Sequence, residues 1–221
     1  MNNNKNLIKE LCLLTLLFLF VVPTIGQAQT ASSILDKAAA TYDRSGGITA
    51  SFTSVTSRTS SSSVVDRTKG QIDMKGSKFV LKSSSLVIWY NGQTQWSYVA
   101  QNQEVNVSEP SGDELQMTNP TLLIRSYKTD FTAKLLGDVT ASNGKTAYNI
   151  LLVPRKRGQI QKVELQIEKY SSLPVSATIV SKNDMTTVIN ISHLRIGANQ
   201  PDSFFVFNKK EYPKAEIIDL R

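Results

Sequence analysis

The stretch Leu86-Val87-Ile88-Trp89-Tyr90-Asn91-Gly92-Gln93-Thr94-Gln95-Trp96-Ser97-Tyr98-Val99 reads as two short strands around a tight turn. Asn-Gly supplies the left-handed positions that a two-residue hairpin turn demands, and the return limb alternates Thr94, Trp96 and Tyr98 with Gln95, Ser97 and Val99. The same period of two extends outward in both directions. Upstream, Ile48, Ala50 and Phe52 alternate with Thr49, Ser51 and Thr53; Ile72 and Met74 follow a Ser-rich loop from Ser57 to Ser63, and Phe79 with Leu81 come next. Downstream, Val105 and Val107 extend the meander, and a second Asn-Gly at Asn143-Gly144 joins a strand near 131–136 to a longer one over 146–153. Val163, Leu165 and Ile167, then Val175, Ala177 and Ile179, then 187–196 and 204–207, continue it. Even spacing without crossover helices predicts a mainly β fold with a few helices: one antiparallel sheet of about 10–11 strands, curled or closed.

The alternation breaks twice. Ile34, Leu35, Ala38, Ala39 and Tyr42 form one face of an amphipathic helix, with Ser33 and Asp36 as a capping box and Gly46-Gly47 as its stop. Between 113 and 125, Leu115, Met117, Leu122, Leu123 and Ile124 fall on short helical turns broken at Pro120. Helical pieces against one sheet cover a face or a mouth. They either complete a dry core or close a cavity, and the pattern alone leaves both open.

Composition narrows the chemistry. The 221 residues carry 25 Lys and Arg against 18 Asp and Glu, net +7, with 40% apolar and 19% charged residues, a globular balance. One Cys and one His exclude a structural zinc site built from those ligands. The longest basic run is Arg155-Lys156-Arg157 beside Pro154 and Gly158, a solvated turn and no nucleic-acid stripe. There is no nucleophile elbow, phosphate loop or dinucleotide fingerprint. His193 lies within an alternating run, Glu109, Asp113 and Glu114 lie at a helix start, and neither arrangement forms an acid–base pair. The expectation is a protein that is not an enzyme and needs no cofactor.

The N-terminus reads as a leader. Lys5 and Lys9 precede the apolar run Leu11–Val22, and Gly26-Gln27-Ala28 offers a small-x-small cleavage site. A run of 12 residues is short of the roughly 20 that span a bilayer. Cys12 stands at the start of that run, unlike the lipid-modified Cys of a lipoprotein leader. Removal of residues 1–28 leaves one domain over 29–221 without any Cys, which fits export to a bacterial periplasm and a monomer there.

The order of pieces resembles a known family. Ile48-Thr49-Ala50-Ser51-Phe52-Thr53, Gly70-Gln71-Ile72, Lys78-Phe79, the Asn91–Tyr98 hairpin, Asn119-Pro120-Thr121-Leu122-Leu123-Ile124, and the closing Leu173-Pro174, Phe205-Val206-Phe207 and Ile217-Ile218-Asp219 resemble the LolA family of periplasmic outer-membrane lipoprotein carriers. The resemblance implies an incomplete, strongly curved antiparallel barrel whose helical lid covers an apolar cavity. It implies acylated lipoprotein cargo, an inner-membrane ABC-transporter complex as donor, an outer-membrane acceptor, and transient membrane contact. It nominates Phe52, Phe79, Leu81, Trp89, Trp96, Leu122, Leu123 and Ile124 as lipid-binding, with Phe79 at the mouth for partner contact. Lys75-Gly76-Ser77-Lys78 departs from the family's Arg-Pro, whose Arg holds the lid, leaving Lys75 or Arg67 as stand-ins. The alternative function is a lipid-binding or envelope-sensing domain of this fold with another lipid or glycolipid.

Overall fold

The computed structural model describes residues 29–119 and 121–221. The expected leader with Cys12 and the helix break at Pro120 lie outside the described residues. In chain order the elements are α1 (Ala31–Arg44), β1 (Ile48–Arg58), β2 (Val64–Lys75), β3 (Lys78–Ser83), β4 (Leu86–Tyr90), β5 (Gln95–Val99) and β6 (Glu104–Ser108). Then come α2 (Gly112–Thr118), α3 (Leu122–Asp130), β7 (Phe131–Thr140), β8 (Thr146–Pro154), β9 (Ile160–Glu168), β10 (Pro174–Ser181), β11 (Met185–Ile196), a 3₁₀ turn (Asp202–Phe205) and β12 (Glu216–Asp219).

The 12 strands among the described residues form one sheet in the order β12-β6-β5-β4-β3-β2-β1-β11-β10-β9-β8-β7. Two hairpin meanders are joined where β1 pairs with β11, and β7 and β12 remain as edges, so the sheet is not closed into a barrel. Every pairing is antiparallel except β12 on β6. Register shifts at Thr49/Ser51, Thr56/Ser57 and Leu135/Gly137 insert bulges, which bend the strands that carry them. At Gly70 the chain has no room for a side chain: a Cβ would stand 2.1 Å from the Lys82 carbonyl and 2.9 Å from the Phe52 ring.

The inner face, covered by the helices, divides in two. Over β7–β10, Leu35 of α1 and Leu123 and Ile124 of α3 pack with Ile150, Leu152, Val163, Leu165, Ile167 and Ile179 in a filled core. Over β1–β4 a second cluster gathers Tyr42, Ile48, Phe52, Ile72, Met74, Phe79 and Ile88. The outer face is dressed at one end by the chain after β11: Trp89 meets Phe207 and Tyr212 at centroid distances of 5.5 and 5.4 Å, and Tyr98 meets Tyr212 at 4.7 Å.

Three local expectations change. Thr30, one residue before α1, caps it reciprocally with Ser33, in place of Ser33 with Asp36. Residues 204–207 form no strand; the 3₁₀ turn lets Phe204 and Phe205 pack edge to face at 5.4 Å, while Phe207 reaches Trp89. The closing Ile217-Ile218 takes the edge-strand role instead. No described helix is long and apolar enough to cross a membrane.

Candidate functional site

The second cluster does not fill its space. A cavity of about 300 Å³ lies between β1–β4, β11 and the helical segment, walled by Ile48, Ala50 and Phe52 of β1, Ile72 and Met74 of β2, Leu81, Leu86 and Ile88 of β3–β4, and Ile189, Ile191 and Leu194 of β11. Tyr42 of α1 and Met117, Thr118, Asn119 and Thr121 form the roof. The reason is local. Most of the apolar faces of α1 and α3 is spent on β7–β10, and apart from Tyr42 the roof over β1–β4 is the end of the 7-residue α2 and the turn after it. Short side chains at Ala50, Ser54, Thr68 and Ser83 leave the remaining space open.

The hollow is graded. Neighbouring inner positions across the sheet run Ile150, Leu165, Ala177, Ile189, Ser54, Thr68, from solid packing through the cavity wall to hydroxyls. At one end Tyr42 and Met74 close it; at the other stand Ser54, Thr68, Ser83, Ser85 and Thr187. None of the lining residues is Asp, Glu, Lys, Arg or His. The one titratable side chain, Tyr42, has its pKa pushed up by burial and donates to the Gly76 carbonyl at 3.2 Å. Such a site binds by burial and offers no general acid–base pair near neutrality.

Polar contacts hold the roof. Thr121 Oγ1 donates to Asn119 Oδ1 at 2.6 Å and lies 3.1 Å from Met74 Sδ. Gln116 Nε2 bonds Ser126 Oγ and Asp130 Oδ2, each at 3.0 Å, joining α2 to α3. α3 is tied to α1 by Arg125 with Asp43 at 3.1 Å and by Asp36, which accepts from Tyr127 Oη at 2.7 Å and Lys128 Nζ at 2.8 Å. Those last two contacts hold the Asp36 carboxyl below its usual range. Neither stand-in for the family Arg reaches the lid. Lys75 Nζ donates to the Gln200 carbonyl at 2.8 Å, pinning the segment after β11, and Arg67 is exposed on β2. Arg125 of α3, remote in sequence from β2 and β3, makes the ion pair across the helices instead.

The nominated residues separate. Phe52 and Leu81 are on the cavity wall. Phe79 has no solvent exposure and packs on Tyr90 at 5.4 Å beyond the closed end, so its expected place at a mouth is corrected. Leu122 packs against the cluster around the hollow without lining it, and Leu123 and Ile124 belong to the filled core. Trp89 and Trp96 are cross-strand neighbours on the outer face, because Leu86, Ile88 and Tyr90 take the inner parity of β4. Ile48, Ala50, Ile72, Met74, Ile189 and Ile191 were missed, although their parity with Phe52 and Leu81 in the paired strands marks them. Glu114 caps α2 through the Ser111 amide at 2.6 Å, as its place at a helix start implies. His193 is exposed on β11 with a left-handed φ of 50°.

Comparison with known proteins adds the following. The family described as outer membrane lipoprotein carrier protein LolA matches residues 22–184. An uncharacterized conserved protein from Thermus thermophilus is similar in structure at a TM-score of 0.57 with 14% identity, covering 86% of this chain and 98% of its own. A LolA superfamily protein from Nitrosomonas europaea gives 0.45 at 17% identity, covering 81% and 99%. A MucA/MucB complex structure from Pseudomonas aeruginosa gives 0.41 at 14% identity, covering 81% and 62%. No curated protein matches the chain.

Proposed function

The chain belongs to the LolA family of outer membrane lipoprotein carrier proteins, and from that membership we propose that it is a periplasmic carrier that shields the acyl chains of lipoproteins in the hollow over β1–β4 and shuttles them from the inner to the outer membrane. The observation that supports this reading best is the uncharged apolar cavity of about 300 Å³. Each methylene withdrawn from water is worth about 0.8 kcal/mol, so a long acyl chain exposed between membranes costs on the order of 10 kcal/mol. The task calls for cover and for release, and neither needs catalysis. Non-directional contact with Phe52, Leu81 and their neighbours holds a chain without fixing it, so an acceptor offering comparable burial can take it. In this reading residues 1–28 are a leader cleaved near Ala28, the mature protein is a monomer, and its partners are an inner-membrane ABC-transporter complex and an outer-membrane acceptor met in passing.

The test is delivery. Purified protein loaded with a fluorescently labelled lipoprotein is mixed with acceptor membranes, and bound lipid is identified by solvent extraction and mass spectrometry. Transfer that is lost when Ala50→Phe fills the cavity supports the reading. Absence of any acyl ligand, together with dye binding that long-chain fatty acid does not displace, overturns it.

A further inference from the structure

The sheet register gathers three turns at one end. Arg58, Met185, Ser181 and Ile160 are successive partners across β1, β11, β10 and β9, so the turns 59–63, 182–184 and 155–159 leave the sheet side by side. Backbone hydrogen bonds join them into a shelf: the Thr59 amide donates to the Asp184 carbonyl and the Lys182 amide to the Gln159 carbonyl, each at 2.9 Å. The Arg155 amide donates to the Asp130 carbonyl at 2.7 Å, which ties the shelf to the end of α3. Thr187, at the hydroxylated end of the hollow, stands two residues from this row along β11, about 7 Å.

The shelf is cationic. Arg155-Lys156-Arg157 is a short basic run in the sequence, and the fold brings Arg58 and Lys182 to the same end; all five side chains are exposed. None of the five forms an ion pair among the described residues. At the turns of the opposite end, by contrast, Lys75, Lys78, Lys145 and Lys169 each meet a carboxylate. The acids near the shelf are engaged locally. Asp184 accepts the Ser60 amide at 2.9 Å and the Ser60 hydroxyl at 2.6 Å, Asp130 accepts Gln116 at 3.0 Å, and Asp66 accepts the Thr68 hydroxyl at 2.8 Å.

The layout fits a lipid surface better than a small ligand or a peptide. From β1 to β8 the cations are spread over four strand spacings, about 19 Å, a width that suits charges distributed in a plane. The depression beside Lys156 and Arg157 measures only about 70 Å³, too little for a peptide segment. Val64 and Val65, next to the 59–63 turn, are exposed at 47% and 53%, so the cations stand beside apolar surface, the combination on which interfacial binding relies.

We propose that this shelf docks the protein on an anionic lipid surface, with Arg58, Arg155, Lys156, Arg157 and Lys182 on the headgroup phosphates and the hydroxylated end of the hollow on the membrane side. The proposal goes beyond the carrier reading, since it assigns a membrane-facing side whatever the hollow holds.

The experiment is sedimentation of the full mature chain with vesicles of phosphatidylcholine, alone or with added phosphatidylglycerol. Binding is expected with the anionic vesicles only, and is expected to weaken as salt is raised. Each cation near such a surface contributes about fivefold, so Arg155→Gln with Lys156→Gln and Arg157→Gln is expected to weaken binding about tenfold to hundredfold. Lys37→Gln with Lys210→Gln and Lys214→Gln removes the same charge from exposed positions outside the three turns and is expected to retain most of the binding. Thermal midpoints of both triple variants are expected to match the wild type. Equal losses in the two variants would show attraction by net charge and overturn the shelf. Binding to phosphatidylcholine alone, or to neither vesicle, overturns the anionic-surface assignment; if the 155–157 variant then still slows lipoprotein delivery, an acidic protein takes the place of the lipid. Dye binding in the hollow is read on the same samples, and its absence counts against the carrier reading and not against the shelf.

Discussion

One sheet face carries two halves that differ in a single respect. Over β7–β10 the inner positions are filled by Ile150, Leu152, Leu165 and Ile167, all at 0–1% exposure, and α1 and α3 pack over them. Over β1–β4 and β11 the strands are as well paired and Phe52, Ile72 and Ile88 are as apolar, yet a cavity of about 300 Å³ remains. The sheet does not make the hollow. Two other things do: helix faces run out, and Ala50, Ser54, Thr68 and Ser83 are too short to reach what is left of the roof. Interiors elsewhere pack to crystal density, so an unfilled apolar volume costs stability. The void is written into side-chain size on the strands and helix placement above them.

The strongest way to break this comparison is Phe79→Glu. Phe79 has no exposure and sits where the hollow is sealed. Truncating such a ring costs about 3–5 kcal/mol, and an unpaired buried carboxylate adds several more, against a total stability of about 5–15 kcal/mol for a domain. The expected outcome is loss of the cooperative thermal transition. A midpoint close to the wild type would show that the ring meets solvent and that the seal at this end does not exist.

Strand existence was legible where turn chemistry was local. A turn forms where Asn-Gly stands, but it centres on Gly92-Gln93: Gly92 takes a φ of +104°, Asn91 is not left-handed, and Asn91 bonds Thr94 through its amide while its Oδ1 accepts from the amides of Gln93 and Thr94. The faces were not legible. On β4 both parities are apolar, because Phe205, Phe207 and Tyr212 arrive from the far end of the chain to cover Trp89 and Trp96, and a strand buried on both sides does not say which side holds the cavity. The lid latch was illegible for a related reason: Arg125 meets Asp43 across helices whose packing no periodicity fixes. β12 escaped because 4 residues, mostly exposed, pair in parallel with a strand that is distant in sequence.

A second test applies one substitution to both halves. Ala177 and Ala50 are both buried inner-face residues, at 1% and 3% exposure, but Ala177 belongs to the filled core and Ala50 lines the hollow. Ala177→Phe overpacks and is expected to cost about 1–3 kcal/mol, read as a lowered denaturant midpoint. Ala50→Phe enters free space. Its midpoint is expected to match or exceed the wild type, while binding of a hydrophobic dye falls away. Equal destabilisation at both sites would mean that the hollow is not available to side chains and the two halves are packed alike.

The smallest expected effect tests whether the filled half holds the lid independently of the hollow. Asp36 accepts from Tyr127 and Lys128, and these contacts depress its folded pKa below the ordinary 3.8. The unfolded chain thus binds the proton more readily, so the contribution of this group is complete above pH 3.8 and is lost as pH falls through the lower folded value. Tyr127 works in the opposite window. Burial first, and then the Asp36 carboxylate, push its pKa up to about 12, so its contribution is complete below the ordinary 10.0 and is lost as pH rises through 12. Tyr127→Phe removes one hydrogen bond to a charged group, about 1–2 kcal/mol at neutral pH. The difference in thermal midpoint between wild type and variant is therefore expected to form a plateau between these limits and to narrow at both ends. Raised salt reduces the part carried by Lys128, which is exposed. Dye binding in the hollow is expected to be unchanged at pH 7, because Tyr127 packs against the filled core and lines no part of the cavity. A variant that loses dye binding with its midpoint would show that the two halves open as one unit.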